Sequence, residues 1–370
     1  MVGGGKTTHK IVVCRDLGTD VMPLLRKREE FEIVVWPEER KCERSWLLEN
    51  IRGASGVILM LSEAVNDELL DAAGPTLKVV STMSVGYEHV TTSVLAERGV
   101  RLGYTPDVLT DAVADVAILL ALMASRNAKE TANIVQGGEW PNFTWSPFAF
   151  CGPQLSISTL PTASGSFTSS PGRTVGFLGF GRIAHGTLAR LVPFGVKKCL
   201  YTGNPASTQT GSSPAVAEKD DALAASMHLP PGSISRVPLD TLAAESDVLF
   251  ILAPGGPTTY HVVDETFLRK MKKTAILVNP SRGTLVDSDA LAKALREGWI
   301  WAAGLDVVEG EPNVTKDHVL VKEPRCVILP HIGSATFETR VGMATLAAQN
   351  CIAGVLGEVM PSELDLKGRP

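Results

Sequence analysis

The sequence has no apolar run approaching the ~20 residues that a membrane-spanning helix needs, although hydrophobic residues make up 44% of its 370 positions. That excludes a helical membrane protein. Its six cysteines, at 14, 42, 151, 199, 326 and 351, contain no Cys-x-x-Cys pair. This disfavours a disulfide framework or a zinc site, and free thiols in a reducing cytoplasm are expected. Long basic runs are absent and the net charge is mild, 35 − 40 = −5, so no nucleic-acid partner is expected. Near the start no basic stretch leads into an apolar segment of roughly 7–15 residues, and no secretory signal is expected. The closing Lys-Gly-Arg-Pro is not a peroxisomal address. Charged residues make up 20%, which fits a folded globular chain and not a disordered one.

What the sequence does contain is alternation. Lys10–Cys14, Phe31–Trp36, Gly56–Leu61 and Leu77–Thr82 read as short strands separated by polar, helix-compatible stretches. A long helix is expected over Asp107–Arg126, with Thr110 or Asp111 available as its cap. A second series starts at Thr174, with strands at Val175–Leu178, Cys199–Tyr201, Val248–Leu252, Ile276–Val278, Ala302–Leu305 and Val327–Leu329. These runs are apolar throughout, as strands of a parallel sheet covered on both faces must be. A final helix, about Thr336–Leu356, is long enough to return to the first series. The fold class is therefore α/β, with two doubly wound parallel-sheet domains. The second, residues 111–334, is inserted into the first, residues 1–110 and 335–370. Ser156–Gly172 and Ser212–Ser235 are rich in Ser, Pro and small residues and are expected to be surface loops.

A glycine turn follows the first strand of the second series, as Gly179-Phe180-Gly181-Arg182-Ile183-Ala184. Gly179 permits the tight turn, Gly181 admits a pyrophosphate to the backbone, and Ala184 is small enough for helix–strand packing. A helix over His185–Leu191 would turn its first amides to the phosphates. The next strand ends in Tyr201-Thr202-Gly203-Asn204-Pro205-Ala206-Ser207. An NAD site usually carries a carboxylate there. None is present, and neither is Arg or Lys; Thr202, Asn204 and Ser207 offer neutral hydrogen bonds. The segment favours NADPH, with NADH as the alternative. The early Gly3-Gly4-Gly5-Lys6-Thr7 has no preceding strand, so it is expected to be a flexible tail and not a phosphate loop.

Three further residues follow later strands. Arg282 lies in Asn279-Pro280-Ser281-Arg282-Gly283, Glu311 precedes Pro312, and His331 stands between Pro330 and Ile332. A guanidinium grips a carboxylate through two parallel hydrogen bonds. Histidine donates protons near neutral pH, and a carboxylate beside it holds the ring and favours its protonated form. Such a trio suits hydride transfer to a 2-keto acid. On sequence alone Glu309 and Asp306 compete with Glu311 for the histidine. The other histidines, at 9, 89, 185, 228, 261 and 318, lack this context, and no spacing suggests a metal site.

The glycine turn, Asn-Pro-Ser-Arg-Gly, Gly304-Leu305-Asp306-Val307 with Glu311-Pro312, and Pro330-His331 occur in the order found in the D-isomer-specific 2-hydroxyacid dehydrogenases. The chain resembles that family. Ser81–Tyr87, Gly103–Thr110, Leu200–Gly203 and Val327–Thr336 resemble its members that reduce glyoxylate and hydroxypyruvate. The resemblance implies a flavodoxin-like substrate domain and a small 2-keto acid as substrate. Val85 and Gly86 would bind the substrate carboxylate through backbone amides, together with Arg282. His331 would be the proton donor and Glu311 its partner. Gly179, Phe180, Gly181, Arg182, Ile183, Thr202, Asn204, Ser207, Pro254 and Pro280 would contact the cofactor, with Asp306 and Gly333 at its nicotinamide end. Trp145 would close the pocket of a neighbouring subunit, which implies a homodimer. Asn204 departs from the arginine that these members often carry for the 2′-phosphate. The glycine-rich Ala253-Pro254-Gly255-Gly256-Pro257 departs from them as well. Two rival readings share the fold: a phosphoglycerate or formate dehydrogenase, and a dinucleotide-sensing corepressor that binds peptides.

Overall fold

The computed structural model describes residues 8–169, 172–203 and 213–366. The chain divides into two compact units, Met1–Leu109 with Ser334–Pro370, and Thr110–Gly333. The Gly3–Thr7 segment lies outside the described residues.

The first unit holds strands β1 (His9–Val13), β2 (Phe31–Val35), β3 (Gly56–Leu59), β4 (Val79–Thr82) and β5 (Arg101–Gly103). They form one parallel sheet in the order β2-β1-β3-β4-β5, the flavodoxin-like winding. Successive strand residues point to opposite faces, and here both faces are buried. Val12 enters one apolar cluster, while Ile11 and Val13 enter the other. The helix Phe337–Leu356, capped by the Thr336 hydroxyl on Thr339 N, belongs to this unit. Ser81 Oγ donates to Ala347 O at 2.8 Å, and Asn350 Nδ2 to Tyr104 O at 2.9 Å. Two buried polar side chains thus fix that helix on the sheet.

The exposed hairpin β6 (Thr159–Pro161) and β7 (Phe167–Ser169) opens the second series. Seven parallel strands follow: β8 (Thr174–Leu178), β9 (Lys198–Thr202), β10 (Ile234–Arg236), β11 (Val248–Ile251), β12 (Ile276–Asn279), β13 (Ala302–Leu305) and β14 (Cys326–Ile328). Their order is β10-β9-β8-β11-β12-β13-β14. The winding reverses between β8 and β11, and in open parallel sheets a ligand crevice forms outside the strand ends at such a point. Leu249 and Ile251 fill one core layer, Val248 and Phe250 the other. The helix Thr110–Ser125 supplies Ala117, Leu120, Ala121 and Ala124 to the second layer. It packs so closely that a Cβ on Gly304 would lie 2.7 Å from Leu120 O.

The expected elements differ from the observed ones in five places. The long helix runs Thr110–Ser125 and not Asp107–Arg126, because Asp107 sits at φ +70°, outside helical space. The helix after the glycine turn begins at Arg182, three residues before His185, since a helix needs only Gly181 as its cap. Ser212–Ser235 is not a loop from Ser213 onward. Ser213 Oγ caps the helix Pro214–Ser226, which leads into β10. Alanine-rich composition favours helix, and burial of Asp220 and Ala224 completes it. Ser156–Gly172, expected as a loop, contains the β6–β7 hairpin, closed by Thr162 N donating to Ser166 O at 2.7 Å. Strand β5 was missed because three residues carry almost no periodicity.

The Gly304 contact is with main chain, which cannot rotate away. Gly304→Ala is expected to destabilise the protein by about 1–3 kcal/mol, the usual range for overpacking. Urea unfolding measures it, and an unchanged midpoint would refute this account of the helix–sheet contact.

Candidate active site

Apart from Trp145, the described candidate residues of the second unit lie where parallel strands end. Gly179 follows β8 and adopts φ +87°, where a Cβ would stand 2.6 Å from Ala253 N. Only glycine fits that turn. A Cβ on Gly181 would meet nothing within 4 Å, so the backbone here is open to a large anion. The helix Arg182–Leu191 starts at once, with Arg182 exposed and Ile183 half-buried. Unsatisfied N–H groups at a helix start attract phosphate. The cradle therefore fits the pyrophosphate of a dinucleotide. Phe180 stacks on Tyr201 with ring centroids 4.2 Å apart. Thr202 is buried at the end of β9, and its carbonyl accepts from Gly179 N at 3.0 Å. Asn204 and Ser207 lie outside the described residues. Pro254 is exposed after β11, and its carbonyl accepts from the Thr259 hydroxyl at 2.9 Å.

Beyond β12 the chain forms a tightly held turn. Asn279, fully buried, accepts from Ser281 N at 3.0 Å and donates to Arg282 O at 2.9 Å. Ser281 Oγ donates to Ala253 O. Pro280 is buried between them. This turn presents Arg282, half-buried, with Nη1 donating to Ser281 O at 2.8 Å. A Cβ on Gly283 would fall 2.2 Å from the backbone carbon of Val308. The arginine turn is thus seated against the backbone that leads to Glu309 and Glu311.

The turns after β13 and β14 bring the acid and the histidine together. His331 Nδ1 lies 3.1 Å from Glu311 Oε1, and the two side chains are 36% and 33% exposed. The pair is open on one side and not a sealed core contact. Glu309 pairs instead with His261 Nε2 at 2.7 Å. Asp306 takes a different position again. Its buried carboxylate accepts from Ile332 N at 2.8 Å and from Gly333 N at 2.7 Å, while His331 N donates to Asp306 O at 2.9 Å. Burial pushes this carboxyl above the ordinary carboxylate range, against the opposing pull of the two N–H groups. His331 itself adopts φ +55°, an uncommon conformation that histidine reaches more readily than most residues. The Asp306 clamp holds it there. Geometry thus chooses among three acids that were equivalent in sequence. Asn279 and the clamping role of Asp306 were missed; the Asn-Pro-Ser turn signal was the only available hint for the first.

In the first unit Val85 and Gly86 lie on the turn after β4. Thr82 Oγ1 is 2.7 Å from Ser84 Oγ and 2.9 Å from His89 Nε2, and Ser84 Oγ donates to Gly86 O at 2.7 Å. Trp145, in the second unit, is 77% exposed. Among the described residues no three His, Cys, Asp or Glu side chains are grouped to hold a metal ion. No described helix is long and apolar enough to cross a membrane.

Residues 118–333 match the family described as D-isomer specific 2-hydroxyacid dehydrogenase, NAD binding domain. The chain belongs to this family. It is an NAD(P)-dependent oxidoreductase acting on CH–OH groups. It is 39% identical over 357 residues to a glyoxylate reductase/hydroxypyruvate reductase of Mus musculus, covering 96% of this chain and 98% of that one. It is 39% identical over 355 residues to a glyoxylate reductase of Thermococcus onnurineus, covering 95% of each. Its fold matches the crystal structure of an NADPH-dependent glyoxylate/hydroxypyruvate reductase from Sinorhizobium meliloti, in complex with NADP and malonate. That match has a TM-score of 0.72 and 29% identity, over 97% of each chain.

The clamp on the histidine turn of this dehydrogenase can be tested directly. Asp306→Asn replaces an acceptor oxygen with an amide that opposes a backbone N–H. A loss of about 1–3 kcal/mol of stability is expected for the unmet donor, with a fall in turnover. Unchanged unfolding and unchanged rate would show that the carboxylate does not hold the turn.

Proposed function

We propose that this dehydrogenase reduces glyoxylate, hydroxypyruvate or both to the corresponding 2-hydroxy acid, with NADPH as the preferred cofactor. The observation that carries the reading is the His331–Glu311 pair, 3.1 Å apart, set on strand-end turns beside the one that presents Arg282. Both full-length relatives described above act on glyoxylate by name.

A bound nicotinamide supplies the hydride to the keto carbon. Arg282 fixes the substrate carboxylate with its planar fork and polarises the carbonyl. Glu311 engages His331 Nδ1, which leaves Nε2 as the atom that delivers the proton. As the carbonyl oxygen gains negative charge, Nε2 protonates it, and the ring passes from imidazolium to neutral imidazole. Gly179, Phe180, Gly181, Arg182, Ile183, Thr202, Pro254 and Pro280 would hold the dinucleotide, with Asp306 and Gly333 at its nicotinamide end. No carboxylate follows β9 as far as Gly203, which removes the repulsion a 2′-phosphate would meet in an NAD site. The Sinorhizobium meliloti relative is NADPH-dependent by name, in keeping with this preference.

Two further features belong to the proposal. Trp145, Trp140 and Phe148 are 77%, 64% and 86% exposed. Three large aromatic side chains this exposed within nine positions are in keeping with a homodimer in which Trp145 reaches a neighbouring subunit. The six cysteines are free and five are buried, in keeping with a reducing, cytoplasmic setting.

His331→Ala is expected to lower turnover at least ~100-fold, the scale of losing a general acid. The assay follows reduced-cofactor oxidation with glyoxylate and hydroxypyruvate, NADPH and NADH being run separately. Near-normal turnover in that variant would remove His331 from the proton-donor role, and faster oxidation of NADH would reverse the cofactor preference. Arg282→Ala should raise KM for the keto acid while cofactor binding stays intact. Sedimentation should give twice the chain mass, and a monomer at micromolar concentration would end the subunit-sharing account of Trp145.

A further inference from the structure

The end of β9 contains no basic residue in sequence, yet the fold brings one there. Strand β10 pairs with β9 in parallel register, with Ile234 opposite Cys199, Ser235 opposite Leu200 and Arg236 opposite Tyr201. Arg236 therefore leaves the sheet at the same edge as Thr202 and Gly203. Its guanidinium lies over Gly203: a Cβ at that position would be 3.0 Å from Nη2, 3.5 Å from Cζ and 3.7 Å from Nε. Glycine at 203 makes room for the planar group. In this fold the end of the second strand is where the adenosine ribose of a dinucleotide is read.

Beside the guanidinium lies a buried acid–phenol pair. Tyr201 Oη donates to the buried Asp220 carboxylate at 3.0 and 3.2 Å. Arg236 acts on Asp220 and Tyr201 through space. Asp221, Cys199 and His185 also face Asp220 through space, and burial lowers the pKa of His185, holding it toward the neutral form. Among the described residues no hydrogen bond or salt bridge joins Arg236 to Asp220, and the two interact through space. Arginine meets phosphate oxygens bidentately.

We propose that Arg236 is the residue that recognises the 2′-phosphate of NADPH, replacing from the neighbouring strand the arginine that position 204 lacks. This rests on the NADPH preference proposed above and names the group behind it. The contribution belongs to specificity and not to the chemical step, since the phosphate lies at the far end of the cofactor from the nicotinamide.

Binding of adenosine 2′,5′-bisphosphate and of adenosine 5′-monophosphate, measured by calorimetry without substrate, tests the proposal. The wild-type protein should bind the bisphosphate more tightly. Arg236→Leu should weaken the bisphosphate by ~10-fold or more, the loss expected for a hydrogen bond to a charged group, and leave the monophosphate unchanged. Arg236→Lys should fall between the two, and Arg236→Gln gives the same comparison if the leucine variant fails to fold. A preference for the bisphosphate that survives in Arg236→Leu would overturn the role of Arg236 and leave the NADPH reading standing. Equal weakening of both ligands would reduce Arg236 to a structural part and overturn the proposal. Absence of any preference in the wild type would overturn the NADPH reading and this inference with it.

Discussion

The carboxylate of Asp306 is the contact on which the geometry of the reactive turn depends. It lies buried at the end of β13 and receives two backbone N–H groups from the turn after β14. A carboxylate taken out of water is costly unless its oxygens are met by donors. Here the donors belong to the residues directly after His331, and the Asp306 carbonyl takes the His331 N–H as well. The histidine is thereby held at positive φ, with Nδ1 toward Glu311. Loosening that contact would free the turn to relax into an ordinary conformation and carry the ring off its partner.

The same edge of the sheet carries the glycine turn, the Arg282 turn and the acid–histidine pair of the second unit. Parallel strands send all their C-terminal ends one way, so turns far apart in sequence emerge side by side. The glycine turn after β8, the Asn279-braced turn of Arg282 after β12 and the acid–histidine pair after β13 and β14 follow from that directionality. Close packing then sharpens it. Gly283 sits against the backbone at Val308, and Gly179 against Ala253, so neighbouring turns set one another's position. Flat contacts between main chains transmit such constraints better than flexible side chains do.

Much of this was legible in the residues. Apolar runs between glycine and proline punctuation located most strands within a residue or two, and their lack of alternation showed a parallel sheet buried on both faces. The glycine turn announced a dinucleotide, and Arg282, Glu311 and His331 stood out because each followed such a run. Less was legible where the signal was short or ambiguous. Strand β5 is three residues long. The alanine- and serine-rich segment from Ser213 looked like a loop, and becomes a helix because its cap and its burial against the sheet act together.

By itself the sequence determined the class of fold, the cofactor turn and the types of side chain available for chemistry, because those depend on local spacing and on which residues can be buried. It could not decide which of Asp306, Glu309 and Glu311 meets His331, since all three lie within six positions on one turn. Their assignment to a clamp, to His261 and to His331 was decided by the tertiary structure. Nor could it place Arg236 over Gly203, more than thirty positions away, because only the parallel pairing of β10 with β9 brings those strand ends together. Through-space neighbours across a sheet are set by register and crossover, and neither is written in local periodicity.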